Sequence, residues 1–185
     1  MRLIVAVTGA SGVVYSKRLL EVLKEKNVQV HLIISSASEK LINHELETTK
    51  EELEKLANNT YAEDDFYSPL ASGSFLVDGM IVIPCSAKTV AGIAHGYSEN
   101  LILRAADVML KEHRKLILVP RETPLSAVHL RNLLELAMDG VIILPAMPAF
   151  YHQPKKIDDL VDFIVGKILD SVGISHNLFE RWSKT

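Results

Sequence analysis

The chain opens on a continuous apolar run, Leu3-Ile4-Val5-Ala6-Val7, and turns through Thr8-Gly9-Ala10-Ser11-Gly12. It then takes on helical spacing, with Val14, Leu19, Leu20 and Leu23 apolar and Lys17, Arg18, Glu21 and Lys24 polar. A short apolar run bounded by glycine reads as a strand buried on both faces. The same alternation continues. A second strand spans 28–34, followed by helices at 37–47 and 50–56. The irregular stretch 58–75 reads as a long loop with room for a short edge strand. A third strand at 80–83 leads to a helix at 89–95 and a longer one, with Ser98 as N-cap, reaching His113. A fourth strand at 116–119 precedes a helix begun by Thr123-Pro124, with Leu130, Leu133, Leu134 and Ala137 turned inward. A fifth strand spans 141–144. The clearest periodic element is last, at 155–171. There Ile157, Leu160, Val161, Ile164, Ile168 and Leu169 form one apolar stripe, and Gly173 closes it.

Strands alternating with helices predict a parallel sheet covered on both faces, with ligands bound beyond the carboxyl ends of the strands. Four of the five predicted strand ends carry polar groups: Ser11; Ser35; Ser86 with Thr89; and Arg121 with Glu122. The first turn admits two readings. Its small residues and the helix behind it make an anion site, or Ser11 simply caps the helix. It is neither the full G-x-G-x-x-G fingerprint nor a Walker loop, and the second strand ends in Ser35-Ser36 where a dinucleotide site wants an acid. Hydroxyls at both ends suit a phosphate monoester.

With 185 residues, the chain is sized for one domain, 1–185. A hydrophobic share of 48% favours a surface buried in an oligomer, and a net charge of -3 offers no field for nucleic acid or an anionic membrane. Any anion site must therefore use a few local cations. Arg104 and Lys111 share a helix face with Asp107 between them. Arg121 directly follows a buried strand, where a guanidinium can grip phosphate. Lys167 lies at the margin of the last apolar stripe. Tyr151 sits past a proline-rich turn, and Trp182, the single tryptophan, suggests a docked tail. The lone Cys85 excludes an internal disulfide, reads as structural and fits a reducing cytoplasm. No run spans a bilayer, no signal peptide is expected, and the histidines lack metal spacing.

Together the stretches TGASG, PCSAKT, ENLILRAADVMLKEHRKLILVPRETPLSAVHLRNLLEL and ILPAMPAFYHQPKKIDDLVDFIVGKILDSVGI resemble the flavin prenyltransferases of the UbiX/Pad type over nearly the whole chain. The resemblance implies a Rossmann-like or flavodoxin-like flavoprotein in a large homo-oligomer, a dodecamer, with sites between subunits and no metal. It implies reduced FMN as substrate, dimethylallyl phosphate as prenyl donor, and prenylated FMN as a product passed to a UbiD-type decarboxylase. Carried across by motif, Gly9, Ala10, Ser11, Ser35, Ser86, Ala87, Lys88, Thr89 and Arg121 would hold FMN. Arg104, Lys111, Tyr151 and Lys167 would hold the prenyl phosphate. Glu45 and Glu122 would serve in proton transfer beside Ser11 and Lys111. Three departures stand out: Lys167 where the family has arginine, Ala87-Lys88 in the third loop, and Glu47 close to Glu45. The rival readings are a flavin-dependent cysteine decarboxylase, against which Pro148 stands where that class carries asparagine; a direct aromatic-acid decarboxylase; and a flavin carrier that catalyses nothing.

Overall fold

The computed structural model describes residues 1–182. Six parallel strands form one sheet in the order β3-β2-β1-β4-β5-β6. They are β1 (Arg2–Val7), β2 (Gln29–Ile34), β3 (Asn59–Tyr61), β4 (Gly79–Cys85), β5 (Leu116–Pro120) and β6 (Ile142–Ile143). The register is fixed by the central strand: Val5 lies opposite Leu32 on one side and Ile81 on the other. The helices are α1 (Val13–Glu25), α2 (Ser36–Leu46), α3 (Lys50–Glu54), α4 (Ala87–Ala94), α5 (Leu101–Lys111), α6 (Ala127–Met138) and α7 (Ile157–Val172).

The apolar strands are buried on both faces because each face has its own core. Leu3, Val5 and Val7 point into one layer with α1 and α7. Ile4 and Ala6 point into the other, with α4, α5 and Leu136 of α6. This is the α/β, doubly wound architecture that the alternation predicts. After β3 the chain crosses back over the sheet to start β4 beside β1. The winding reverses there, between β1 and β4.

The irregular stretch holds the short edge strand for which it left room, β3, the sixth of the sheet. Several other local expectations need correction. Helix α5 is capped by Asn100, whose side chain accepts from the Leu103 N–H at 3.0 Å, and Ser98 lies outside it. Helix α6 starts after Ser126, not at Pro124, with Ser126 and His129 in reciprocal capping bonds. On α6 the 3.6-residue period turns Asn132 and Leu136 to the core. Leu130 and Leu134 are 54% and 59% exposed, in line with the exposed Met138. Ile157, at the first position of α7, is likewise exposed. Gly12, rather than Ser11, is the N-cap of α1, at φ 108°, a left-handed conformation that glycine takes without strain.

His31 on β2 is buried, with Nδ1 at 2.8 Å from the Tyr61 hydroxyl and no partner for Nε2. Burial, helped by the nearby Arg2 charge, pushes its pKa down, so the ring is neutral when folded. The unfolded chain takes up that proton first. Stability from this group is therefore complete above about pH 6.5 and is lost as the pH falls through the lower folded value. Urea midpoints should fall across that acid range, and His31→Leu should flatten the slope.

Candidate functional site

A crevice of about 570 Å³ lies at the carboxyl rim of the sheet, beside the winding reversal between β1 and β4, within the range of small-ligand sites. Its walls are the first turn at Thr8 and Gly9, the start of α2 at 35–37, the start of α4 at 86–89, and Glu63, Asn100 and Glu122 from three further segments. Thr8 ties the two strand ends together. Its hydroxyl donates to the Pro84 carbonyl at 2.8 Å and accepts from the Ser86 N–H at 2.8 Å. Gly9 is needed for close approach, since a Cβ there would sit 2.8 Å from the Ala37 Cβ.

The hydroxyls on the rim are helix caps as well as crevice walls. Ser35 accepts from the Ser38 N–H at 3.3 Å, and Ser86 accepts from the Thr89 N–H at 3.2 Å, with its Oγ 2.9 Å from that of Thr89. Each cap leaves a hydroxyl oxygen with further bonding capacity next to a helix N-terminus, where the exposed backbone N–H groups favour an anion. Ala87 and Lys88 line the same wall, and Lys88 spans 3.3 Å to Glu99 at the mouth.

The N-terminus of α1 is occupied by the chain itself. The Glu45 carboxylate on α2 accepts from the Gly12 N–H at 2.8 Å and the Val13 N–H at 3.2 Å. An internal anion thus sits where the first turn suggested an external one. Around it, Ala10 is buried and Ser11 is exposed, with its carbonyl accepting from Arg121 Nε at 3.0 Å. Arg121 and Glu122 both follow β5. Arg121 leans over the first turn, and Glu122 lines the crevice.

The remaining cations do not meet within one chain. Arg104 on α5 donates to the Ala71 carbonyl at 3.1 Å and pairs with Asp107 at 2.6 Å, and Lys111 pairs with Glu112. Tyr151 and Lys167 belong to the opposite layer. The Tyr151 ring lies edge-on to Phe163 and Trp182, at 6.0 and 5.5 Å between centroids, and Lys167 Nζ is 4.0 Å from Asp170. Trp182 is therefore docked on its own chain while still exposed on its outer side.

Sequence reasoning missed Thr8, Glu63 and Asn100. Glu63 joins three segments. Its carboxylate accepts from the Ser36 N–H at 2.9 Å and reaches Asn100 Nδ2 at 3.5 Å, and its carbonyl accepts from the Leu101 N–H at 2.7 Å. Asn100 was findable as a capping residue just before the apolar Leu101-Ile102-Leu103. Nothing in the local sequence marks Glu63. Cys85 is buried and burial pushes its thiol pKa up, so it is no nucleophile. No group of His, Cys, Asp and Glu among the described residues could hold a metal ion, and no helix among them is long and apolar enough to cross a membrane.

Comparison with known proteins agrees with this geometry. Residues 1–169 match the Flavoprotein family. The chain is 53% identical to the flavin prenyltransferase UbiX of Methanocaldococcus jannaschii over 182 residues, covering 98% of each chain. Among solved structures, it superposes with TM-score 0.98 on a dodecameric FMN-dependent UbiX-like decarboxylase from Escherichia coli O157:H7, 46% identical, with all of both chains covered. It matches AnUbiX (PadA1) in complex with FMN and dimethylallyl pyrophosphate equally well, at TM-score 0.98 and 45% identity, covering 100% of this chain and 98% of that one.

Thr8→Val keeps the shape of the side chain and removes both bonds of its hydroxyl, leaving the Ser86 N–H without its partner. Urea unfolding should show a loss of about 1–3 kcal/mol. Equilibrium titration with FMN should show weaker binding in the refolded variant.

Proposed function

The chain belongs to the UbiX-type flavin prenyltransferases, and on that premise we propose that it joins the dimethylallyl group of dimethylallyl phosphate to reduced FMN. The observation that carries this reading is the crevice at the winding reversal, walled by the TGASG and PCSAKT turns, in a chain that matches a flavin-and-prenyl-donor complex end to end. Residues 1–185 act as one flavoprotein domain, cytoplasmic in keeping with its lone buried thiol. The prenylated FMN passes to a UbiD-type decarboxylase.

FMN fits the crevice by its chemistry. Gly9, Ser35 and the 86–89 wall hold the flavin, with the α2 and α4 N-termini open to its phosphate and Ser11 and Arg121 beside the first turn. The reaction breaks the carbon–oxygen bond of the donor and releases inorganic phosphate. A bond forms from the freed allylic carbon to a ring nitrogen of the reduced flavin. That nitrogen gives its proton to the released phosphate, the remaining prenyl double bond takes up a proton to leave a tertiary cation, and a neighbouring ring carbon attacks it to close the fourth ring and gives up its own proton. Phosphate leaves an alkyl carbon only when its growing charge is matched by fixed donors. Arg104, Lys111, Lys167 and the Tyr151 hydroxyl are those donors. Glu122, on the crevice wall, takes the ring proton. Glu45 keeps the α1 terminus in place, and its part in proton transfer requires it to leave the Gly12 N–H.

Arg104 and Lys111 lie in one helical layer and Tyr151 and Lys167 in the other, so a single phosphate is surrounded only when a second copy supplies half the set. The exposed apolar residues Val128, Leu130, Leu134, Met138, Met147, Phe150 and Ile157 supply the surface for that assembly. A dodecamer like that of the E. coli relative is the proposed form.

Anaerobic incubation with reduced FMN and dimethylallyl phosphate should release phosphate and yield a flavin heavier by one prenyl unit. A cysteine decarboxylase would instead liberate carbon dioxide from a peptide ending in cysteine, and a carrier would do neither. Arg104→Ala and Lys167→Ala should each cut kcat by about 10²-fold. Subunit exchange between the two inactive variants should restore about a quarter of wild-type sites, the fraction in which both intact halves meet. No recovery on exchange would mean that each chain builds its own phosphate site.

A further inference from the structure

The segment after α7 is not a loose tail. It turns at Gly173 and folds back along α7, so closely that a Cβ on Gly166 would sit 2.5 Å from the Phe179 ring and 2.6 Å from the His176 ring. His176 is buried, and its Nδ1 accepts from the Leu178 N–H at 3.2 Å. Its proton is therefore on Nε2, which lies 3.1 Å from Asp170 Oδ1. These contacts bring Arg181 to Asp170 in a two-pronged bond, Nη2 to Oδ1 at 2.7 Å and Nη1 to Oδ2 at 3.1 Å. The guanidinium also rests over the Phe179 ring at 5.6 Å. The next residue, Trp182, meets Tyr151.

Asp170 is also the carboxylate 4.0 Å from Lys167 Nζ. Two full cations, Lys167 and Arg181, thus share one carboxylate. Positive charge is left over beside Tyr151, on an exposed surface where it costs little until an anion arrives. Arg181 spends two of its five N–H donors on Asp170, its Nη2 also lies 3.4 Å from His176 Nε2, and the Nε and second Nη1 donors are left for a ligand. A phosphate monoester near neutral pH carries close to two negative charges, more than a lone lysine can match.

We infer that Arg181 is a ligand of the donor phosphate, acting with Lys167, and that Asp170 holds the two cations in position for it. This rests on the reading of Lys167 and Tyr151 given above.

The test is steady-state kinetics of the full-length protein with dimethylallyl phosphate and reduced FMN. Arg181→Ala should raise the KM for dimethylallyl phosphate by about tenfold, as expected for loss of a charge-assisted phosphate contact, and leave FMN affinity unchanged. Arg181→Lys should restore part of it. In the Arg181→Ala background, Lys167→Arg should bring the KM most of the way back, a rescue that a purely structural tail would not allow. Trp182 fluorescence reports whether the tail is still docked in each variant. An unchanged KM in Arg181→Ala overturns the proposal, as does a loss that neither Arg181→Lys nor Lys167→Arg repairs. If the wild-type protein itself releases no phosphate, the function above fails and the role of Arg181 falls with it. An active wild type with an indifferent Arg181→Ala defeats the inference alone.

Discussion

One buried hydroxyl holds the two strand ends between which the crevice opens. The ladder between β1 and β4 runs only as far as Ala6 and Val82. Beyond it one backbone bond remains, from the Thr8 N–H to the Pro84 carbonyl at 3.3 Å, and the Ser86 N–H needs a side-chain partner, since an unmatched buried group is costly. Thr8 fills the gap from both directions, donating to Pro84 and accepting from Ser86. The crevice follows from the topology, because the winding reverses there. Its rigidity follows from Thr8.

The walls inherit that rigidity through the helix caps. Ser35, Ser86 and Asn100 each terminate a helix at the rim, and Glu63 fastens the α2 and α5 starts to the β3 segment. Donors that are fixed before the ligand arrives lose little freedom on binding, and polar groups already oriented need no reorganisation when charge develops. The hydroxyls thus cap helices with the same atoms that they present to the crevice. Glu45 extends this logic to α1, where the chain neutralises the helix terminus with its own carboxylate.

Much of this was legible in the residues. The apolar run from Leu3, the turn after it and the stripe on α7 state their structure by periodicity alone, and alternation alone gives the parallel sheet. What could not be read was decided by tertiary partners. Helix α6 carries apolar residues on two sides, at 133 and 136 and at 130, 134 and 138, and periodicity cannot say which side meets its own core. Ser11 has the chemistry of a cap, yet the cap fell to Gly12 because the backbone there is left-handed. Glu45 and Gly12 are far apart in sequence, so no local pattern predicts their bond. The three residues of β3 are too few to show a period. At the site, the strand ends were placed on one rim by topology, whereas the separation of Arg104 from Lys167 by a whole sheet is visible only in three dimensions.

That separation links assembly to chemistry. A phosphate is held poorly by cations on one side only, since the open side stays wet and water weakens every contact there. Gathering all the cations onto one layer of one chain would pack like charges together before any substrate arrived. Dividing them between the two faces of the sheet avoids that repulsion. The second apolar side of α6 turns the division into an advantage, because each large apolar side chain covered on association returns about 1.5–3 kcal/mol. In the proposed assembly, the free energy that brings the faces together comes from leucine and methionine, and the donor phosphate offsets the repulsion between the approaching cations. In that proposed assembly, each face carries half of the phosphate site and the complete site forms only between copies.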